Sequence, residues 1–336
     1  MSQGLIPVTI LTGFLGSGKT TLLNHILKGD HGERIAVIEN EFGETGIDNE
    51  LLVQDRNEQI VEMNNGCICC TVRGDLVRIL GELAAKRQAG SLKFDRVVIE
   101  TTGLADPAPV AQTFFVDEDI GMHYLLDAIV TLVDVVHAPQ QLIEHHEAQE
   151  QVGFADRIVL TKTDLVPMAD ILTLKARLMR MNPRAAFLEA RFGKVDLSEV
   201  LDLRGFNLNA ILEIEPEFLT DVTHEHDEDV TSFVFRESTP LDLDRIEEFL
   251  GAIVKVYGPQ LMRYKGILNI EGDDRRVVFQ GVHMLMGADH GALWRKDEVR
   301  ESRMVFIGRD MPKDVLLEGL RQCVAGYKSE ATAPAR

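Results

Sequence analysis

The chain has 336 residues, 45% hydrophobic and 26% charged, the profile of a globular protein long enough for about two domains. Its 35 lysines and arginines face 54 aspartates and glutamates, a formal charge of −19. A surface that acidic repels nucleic-acid backbones and anionic lipid headgroups, so neither is an expected partner, whereas a metal ion or a cationic partner is compatible with it. The longest apolar stretch, YLLDAIVTLVDVVHA, is interrupted by Asp127 and Asp134 and is too short and too charged to span a bilayer. The N-terminus lacks the charged n-region and cleavage site of a signal peptide. The cytoplasm is therefore the expected setting, where thiols stay reduced.

In chain order, PVTILT reads as a strand ending in a glycine-rich turn, and KTTLLNHILK follows with helical spacing. RIAVIE, DRVVIE, AIVTLVD and RIVLT are further strand-like runs rich in Val and Ile, and AAFLEA is a weaker one. Helical patterns are expected over 76–87, 140–151 and 169–181, the last stopped by Asn182-Pro183. Near-continuous apolar strands alternating with helices predict an α/β fold, a parallel sheet with helices on both faces. This first domain is expected over residues 1–205. The acidic, aperiodic stretch around EPEFLTDVTHEHDED suggests a linker over 206–229. A small α+β domain is expected over 230–327. It comprises the strand TSFVFRE, the helix LDLDRIEEFLGAIVKVYG, a hairpin of MRYKGILNIEG and RRVVFQGVHMLMG around Gly272-Asp273-Asp274, the strand SRMVFIGRD, and a closing helix with Pro312 at its start. The tail 328–336 is expected to be disordered.

GFLGSGKT fits G-x-x-x-x-G-K-[ST], with a strand before it and a helix after it, as the mechanism requires. Gly13, Gly16, Ser17, Gly18, Lys19, Thr20 and Thr21 are the candidate phosphate-binding residues. Glycines let successive backbone N–H groups curl around phosphate oxygens, and the helix N-terminus adds partial positive charge. Lys19 would reach the β- and γ-phosphates, and the Thr20 hydroxyl would ligate Mg²⁺. In DRVVIETTG, Glu100 stands at a strand's C-terminal end, where ligands gather in such sheets, and would bind Mg²⁺ through water or orient the attacking water. Gly103 would offer its N–H to the γ-phosphate.

The base is addressed by RIVLTKTD. A carboxylate at Asp164 matches the N1–H and 2-amino donors of guanine, which adenine lacks, and the Lys162 stem would lie over the base. Thr161 stands where the usual GTPase form has an Asn that ties this loop to the P-loop.

Three of the four cysteines, Cys67, Cys69 and Cys70, fall within four positions after the turn signal Asn64-Asn65-Gly66. Thiolates suit Zn²⁺ or Cu(I), yet a closed structural zinc site wants four ligands and no second pair exists. The site is therefore open or completed by another group, and Glu39, Glu41 and Glu44 lie nearby in sequence. A redox pair of Cys67 with Cys70, and buried inert thiols, are the alternatives. The cluster falls between the P-loop and Glu100, where P-loop GTPases carry segments ordered by the γ-phosphate. His224 and His226 form a second, weak candidate metal site within a solvated acidic stretch. His145, His146 and His283 read as structural or surface residues.

Together, TGFLGSGKTTLLNHIL, IAVIENEFGE, NGCICC, VVIETTGLADPAP, RIVLTKTD, YKGIL, FQGV and MVFIG resemble the CobW family of P-loop GTPases, especially its YjiA branch, over nearly the whole chain. The resemblance implies a SIMIBI-type GTPase domain with a small C-terminal domain, slow hydrolysis of GTP with Mg²⁺, and delivery of zinc, cobalt or another transition metal to a client metalloprotein. By the same resemblance Cys67, Cys69 and Cys70 match the family's C-x-C-C metal motif, and Glu39 and Glu44 match acidic positions that join metal sites in some members. The long histidine-rich stretch of many members shrinks here to His224 and His226. Two other readings remain: a non-catalytic metal sensor or buffer with nucleotide as a structural ligand, and a P-loop kinase, which Asp164 and the acidic composition disfavour.

Overall fold

The computed structural model describes residues 5–29, 32–39, 59–62, 71–203, 230–295 and 298–327, with backbone alone for 59–62 and 71–73. The C-x-C-C cysteines, Glu41, Glu44, His224, His226, the proposed linker and the proposed tail lie outside the described residues. The chain divides into two compact units, whose described parts are 5–203 and 230–327.

The first unit is built on seven parallel strands in the order β3-β2-β4-β1-β5-β6-β7. They are β1 (Ile6–Gly13), β2 (Ile35–Glu39), β3 (Gln59–Glu62), β4 (Arg96–Glu100), β5 (Tyr124–Asp134), β6 (Arg157–Thr161) and β7 (Ala186–Ala190). The central strands are apolar on both faces because helices cover both, and Val8, Ile10, Leu11, Val97, Val98, Ile129 and Val130 have essentially no solvent exposure. The helices are α1 (Lys19–Lys28), α2 (Thr71–Gln88), α3 (Ala108–Val116), the single turn α4 (Glu118–Gly121), α5 (Ala138–Glu144), α6 (His146–Phe154) and α7 (Met168–Met181). One apolar face of α1 (Leu22, Leu23, Ile26, Leu27) packs with Leu11, Val98, Val130, Leu132 and Val159 in a single core cluster.

One expectation for this unit is corrected. The helix expected over 140–151 is two helices, because His145 takes an extended backbone (φ −131°, ψ 116°); its ring lies against Phe14 with centroids 4.7 Å apart. The short strand β3 and the helix α3 carry weak sequence periodicity and are visible only in the fold.

The second unit is a five-stranded antiparallel sheet, β11-β10-β9-β12-β8, with β8 (Val230–Glu237), β9 (Leu261–Leu268), β10 (Arg275–Val282), β11 (Leu285–Leu293) and β12 (Ser302–Arg309). Two helices, α8 (Leu243–Tyr257) and α9 (Lys313–Gln322), bury Ile246, Leu250, Ile253, Leu316 and Leu320 with Phe233, Phe235, Tyr264, Phe279 and Phe306. The expected strand RRVVFQGVHMLMG is two strands: His283, with φ 51°, turns the chain back after Val282.

At the sheet end opposite the strand C-termini, buried Arg96 opens β4. Its guanidinium donates to Asp127 (2.9 Å), which is also buried, and to the more exposed Glu33 (2.8 Å). Removing Asp127 leaves the buried guanidinium only with more exposed carboxylates such as Glu33, which compensate it less well. Asp127→Ala is therefore expected to lower stability by about 3 kcal/mol in urea unfolding. Nucleotide affinity should stay unchanged, because the pair lies away from the strand ends where β1 and β4 turn.

Candidate nucleotide site

The strand β1 ends at Gly13, whose φ of 143° L side chains rarely adopt. A Cβ there would stand 2.5 Å from the Leu132 carbonyl oxygen and 2.7 Å from Ser17 Oγ, so no side chain fits. Gly16 and Gly18 also have positive φ, at 72° and 97°, and carry the chain through the turn into α1. Gly18 caps α1 without a side-chain hydrogen bond, which leaves first-turn N–H groups for an anion. Ser17 Oγ is buried with no hydrogen-bond partner. Lys19, largely buried, donates from Nζ to the carbonyls of Gly13 (2.9 Å) and Phe14 (3.3 Å), so its ammonium lies over the loop. Thr21, the third residue of α1, is exposed.

Next to this loop, Thr20 Oγ1 donates to Glu100 Oε1 at 3.2 Å. A hydroxyl and a carboxylate side by side are hard oxygen donors of the kind Mg²⁺ takes, so the pair fits that ion. Gly103 is buried against the P-loop; a Cβ would meet the Leu15 backbone nitrogen at 2.7 Å. The same loop is fixed to β1 by Thr101, whose N–H donates to Leu11 (3.0 Å) and whose hydroxyl donates to Thr12 (2.7 Å).

At the end of β6, Thr161 Oγ1 donates to the Ser17 carbonyl at 2.8 Å. The tie that an Asn usually makes between this loop and the P-loop is thus made by the shorter hydroxyl. Lys162 adopts φ 58°, and its Nζ donates to Asp134 Oδ2 at 2.6 Å. The Leu165 N–H donates to the Lys162 carbonyl (3.0 Å), closing a turn that leaves Asp164 exposed.

Asp134, which ends β5, was not singled out by sequence reasoning. The signal was there: like Glu100, it is an acid that closes a buried apolar strand. Burial alone would raise its carboxyl, but hydrogen bonds from Lys162, His137 (2.7 Å) and the Val136 N–H (3.0 Å) outweigh that and hold it below the ordinary value. Asp134 therefore stays ionised and anchors the Lys162 ammonium.

Glu39, buried at the end of β2, is the in-register neighbour of Glu100 on β4 and of Glu62 on β3. Among the described residues no group of three or more His, Cys, Asp and Glu side chains is arranged to hold a metal ion. No described helix is long and apolar enough to cross a membrane.

The arrangement brings Gly13, Gly16, Ser17, Gly18, Lys19, Thr20, Glu100, Gly103, Lys162 and Asp164 to loops at one edge of the parallel sheet. Asp164→Ala is expected to erase any preference for guanine over adenine nucleotides, read as the ratio of ADP to GDP dissociation constants. A ratio that survives the change would contradict the assignment of Asp164 to the base.

Comparison with known proteins agrees with this architecture. The CobW/HypB/UreG nucleotide-binding domain matches residues 7–189, and the cobalamin synthesis protein cobW C-terminal domain matches residues 230–324. The zinc chaperone YjiA of Escherichia coli is 43% identical over 96% of this chain and 99% of its own length. The zinc-regulated GTPase metalloprotein activator 1 of Schizosaccharomyces pombe is 30% identical over 94% of this chain and 82% of its own. The crystal structure of the Zn(II)-bound YjiA GTPase from E. coli superposes with a TM-score of 0.78 at 38% identity, covering 96% of this chain and 99% of that one. With a strand-P-loop-helix unit, a matching nucleotide-binding domain and a matching C-terminal domain, this chain belongs to the CobW family.

Proposed function

We propose that this protein is a GTP-hydrolysing zinc carrier, which takes up the ion at Cys67, Cys69 and Cys70 and hands it to a client metalloprotein under nucleotide control. The names of its relatives, a zinc chaperone and a zinc-regulated GTPase metalloprotein activator, support the reading. Cobalt or another divalent transition metal would fit the same thiolates. A reducing cytoplasm would keep those thiolates available.

The observation that carries the coupling is the row of strand ends. Glu62, Glu39 and Glu100 are in-register neighbours on β3, β2 and β4, and Glu100 accepts the hydroxyl of Thr20. Neighbouring strands lie about 4.8 Å apart, so β3 ends about 10 Å from the strand that carries Glu100. The C-x-C-C stretch is the connection between Glu62 of β3 and Thr71 of α2. Whatever orders the loops at Glu100 therefore acts within two strands of the segment that bears the thiols.

In this reading the P-loop N–H groups and Lys19 hold the phosphates of GTP. Thr20 and Glu100 would hold Mg²⁺, which supplies charge neutralisation at the β- and γ-phosphates when bound. Gly103 presents its N–H to the γ-phosphate, and Glu100 orients the attacking water. Glu39 and Glu44 would be the carboxylates that complete the thiolate site, with His224 and His226 as a weak secondary one. GTP favours the ordered, metal-holding arrangement of the cysteine segment. Hydrolysis removes the γ-phosphate contact, the segment relaxes, and the open coordination position lets the client's ligands take the ion.

Zinc titrations of the full chain should give an affinity at least about fivefold higher with a non-hydrolysable GTP analogue than with GDP. Cys67→Ser, Cys69→Ser and Cys70→Ser together should abolish that difference. Equal zinc affinities in the two nucleotide states would refute nucleotide control. Unchanged zinc stoichiometry and affinity in the triple variant would refute the cysteine site.

A further inference from the structure

The loop after β4 has a third anchor, from a helix that contributes nothing to the motifs. Gln151 on α6 is buried to 1% exposure. Its side-chain amide donates to the carbonyl of Gly103 at 3.2 Å and to that of Ala105 at 3.0 Å. One amide nitrogen thus bridges two carbonyls of the same loop, which fixes both peptide planes relative to α6. An apolar residue would fill a helix–sheet interface equally well; a buried amide belongs there because its donors are met.

The root of Gln151 is firm. Its own backbone carbonyl accepts the Thr131 hydroxyl from β5 at 2.7 Å. The carbonyls of Val152, Gly153 and Ala155, just beyond it, are bound by Asn182 Nδ2 at 2.8, 3.3 and 2.8 Å. The loop it holds is intrinsically soft, because Gly103 lacks the Cβ that would restrict its φ and ψ. The peptide that carries the Gly103 N–H is tied to the same clamped turn, because its Thr102 carbonyl accepts the Ala105 N–H at 3.1 Å, and Gly103 also packs against Leu15 of the P-loop.

We infer that Gln151 is a positioning residue for GTP hydrolysis: by clamping the Gly103 and Ala105 carbonyls it sets the Gly103 N–H against the γ-phosphate, and thereby the discrimination of GTP from GDP. The inference rests on the reading of Gly103 as the γ-phosphate donor given above. Gln151 touches neither nucleotide nor metal; it acts through the loop. GDP, which lacks the γ-phosphate, does not depend on the clamp.

The test uses the full-length chain with Mg²⁺ and compares Gln151→Met, which keeps length and loses the donors, with Gln151→Glu, which turns a carboxylate toward two carbonyls. Dissociation constants for a non-hydrolysable GTP analogue and for GDP are measured, with GDP binding and thermal melting reporting the fold. The analogue should weaken about tenfold in the Met variant and more in the Glu variant, while GDP stays within about twofold. Thr131→Val, which removes a buried bond to the same helix without touching the loop, should lower the melting temperature and leave the ratio of the two constants unchanged. Equal weakening of both nucleotides, no change in either, or the same ratio change in Thr131→Val would overturn the inference. Gly103→Ala keeps the N–H but must displace it, because its Cβ would stand 2.7 Å from the Leu15 backbone nitrogen, and so separates the two layers of the argument. If it keeps the wild-type ratio, Gly103 is not the γ-phosphate donor and the inference falls with that reading. If it loses the ratio while Gln151→Met keeps it, only the role of Gln151 is wrong.

Discussion

The site depends on one crowded turn. At the end of β1 the chain must pass so close to the Leu132 carbonyl and to Ser17 that nothing larger than hydrogen fits at Gly13. That packing makes the phosphate loop part of the sheet rather than a flap beside it. From the other side Thr161 holds the Ser17 carbonyl, so the P-loop and the loop after β6 share one set of anchors. Gly103 closes the third side against Leu15. Three loops from three strands are thus fixed to each other by contacts within the protein, and such cross-bracing lowers the entropic cost of ordering them around a nucleotide.

A parallel sheet is what makes this convergence possible. Every connection out of a strand's C-terminal end leaves from the same edge, so residues far apart in sequence become neighbours there. Thr20 and Glu100 are 80 residues apart and share a hydrogen bond. Glu39 and Glu100 are in register on adjacent strands. The proposed carrier function uses this geometry rather than a dedicated relay, since the thiol-bearing connection leaves from β3, two strands from the Mg²⁺-compatible pair. The thiolates are too few for a closed structural zinc centre, which suits an ion that is held and then released.

Much of this was legible in the sequence. α1 spans the ten residues of KTTLLNHILK, and β4 and β6 stop at Glu100 and Thr161, because buried parallel strands need unbroken apolar runs and the turns after them need glycine or polar residues. What was not legible has physical reasons. The break at His145 accompanies a contact with Phe14, 131 residues away in sequence, which no local pattern encodes. The strand β3 is four residues long and gains its identity from pairing with β2. The turn at His283 requires a positive φ without the usual glycine. Asp134 and Gln151 carry no motif; their partners, Lys162 and the carbonyls of Gly103 and Ala105, are 28, 48 and 46 residues away in sequence. The replacement of Asn by Thr161 could be weighed only with coordinates, where the hydroxyl makes the tie.

Coupling between two sites must run in both directions by the same factor. The most direct test of nucleotide control is therefore the affinity of a non-hydrolysable GTP analogue measured with and without Zn²⁺ on one preparation of the full chain. The account predicts that zinc tightens the analogue by the factor with which the analogue tightens zinc, and leaves GDP almost untouched. An analogue affinity that does not respond to zinc would contradict the account.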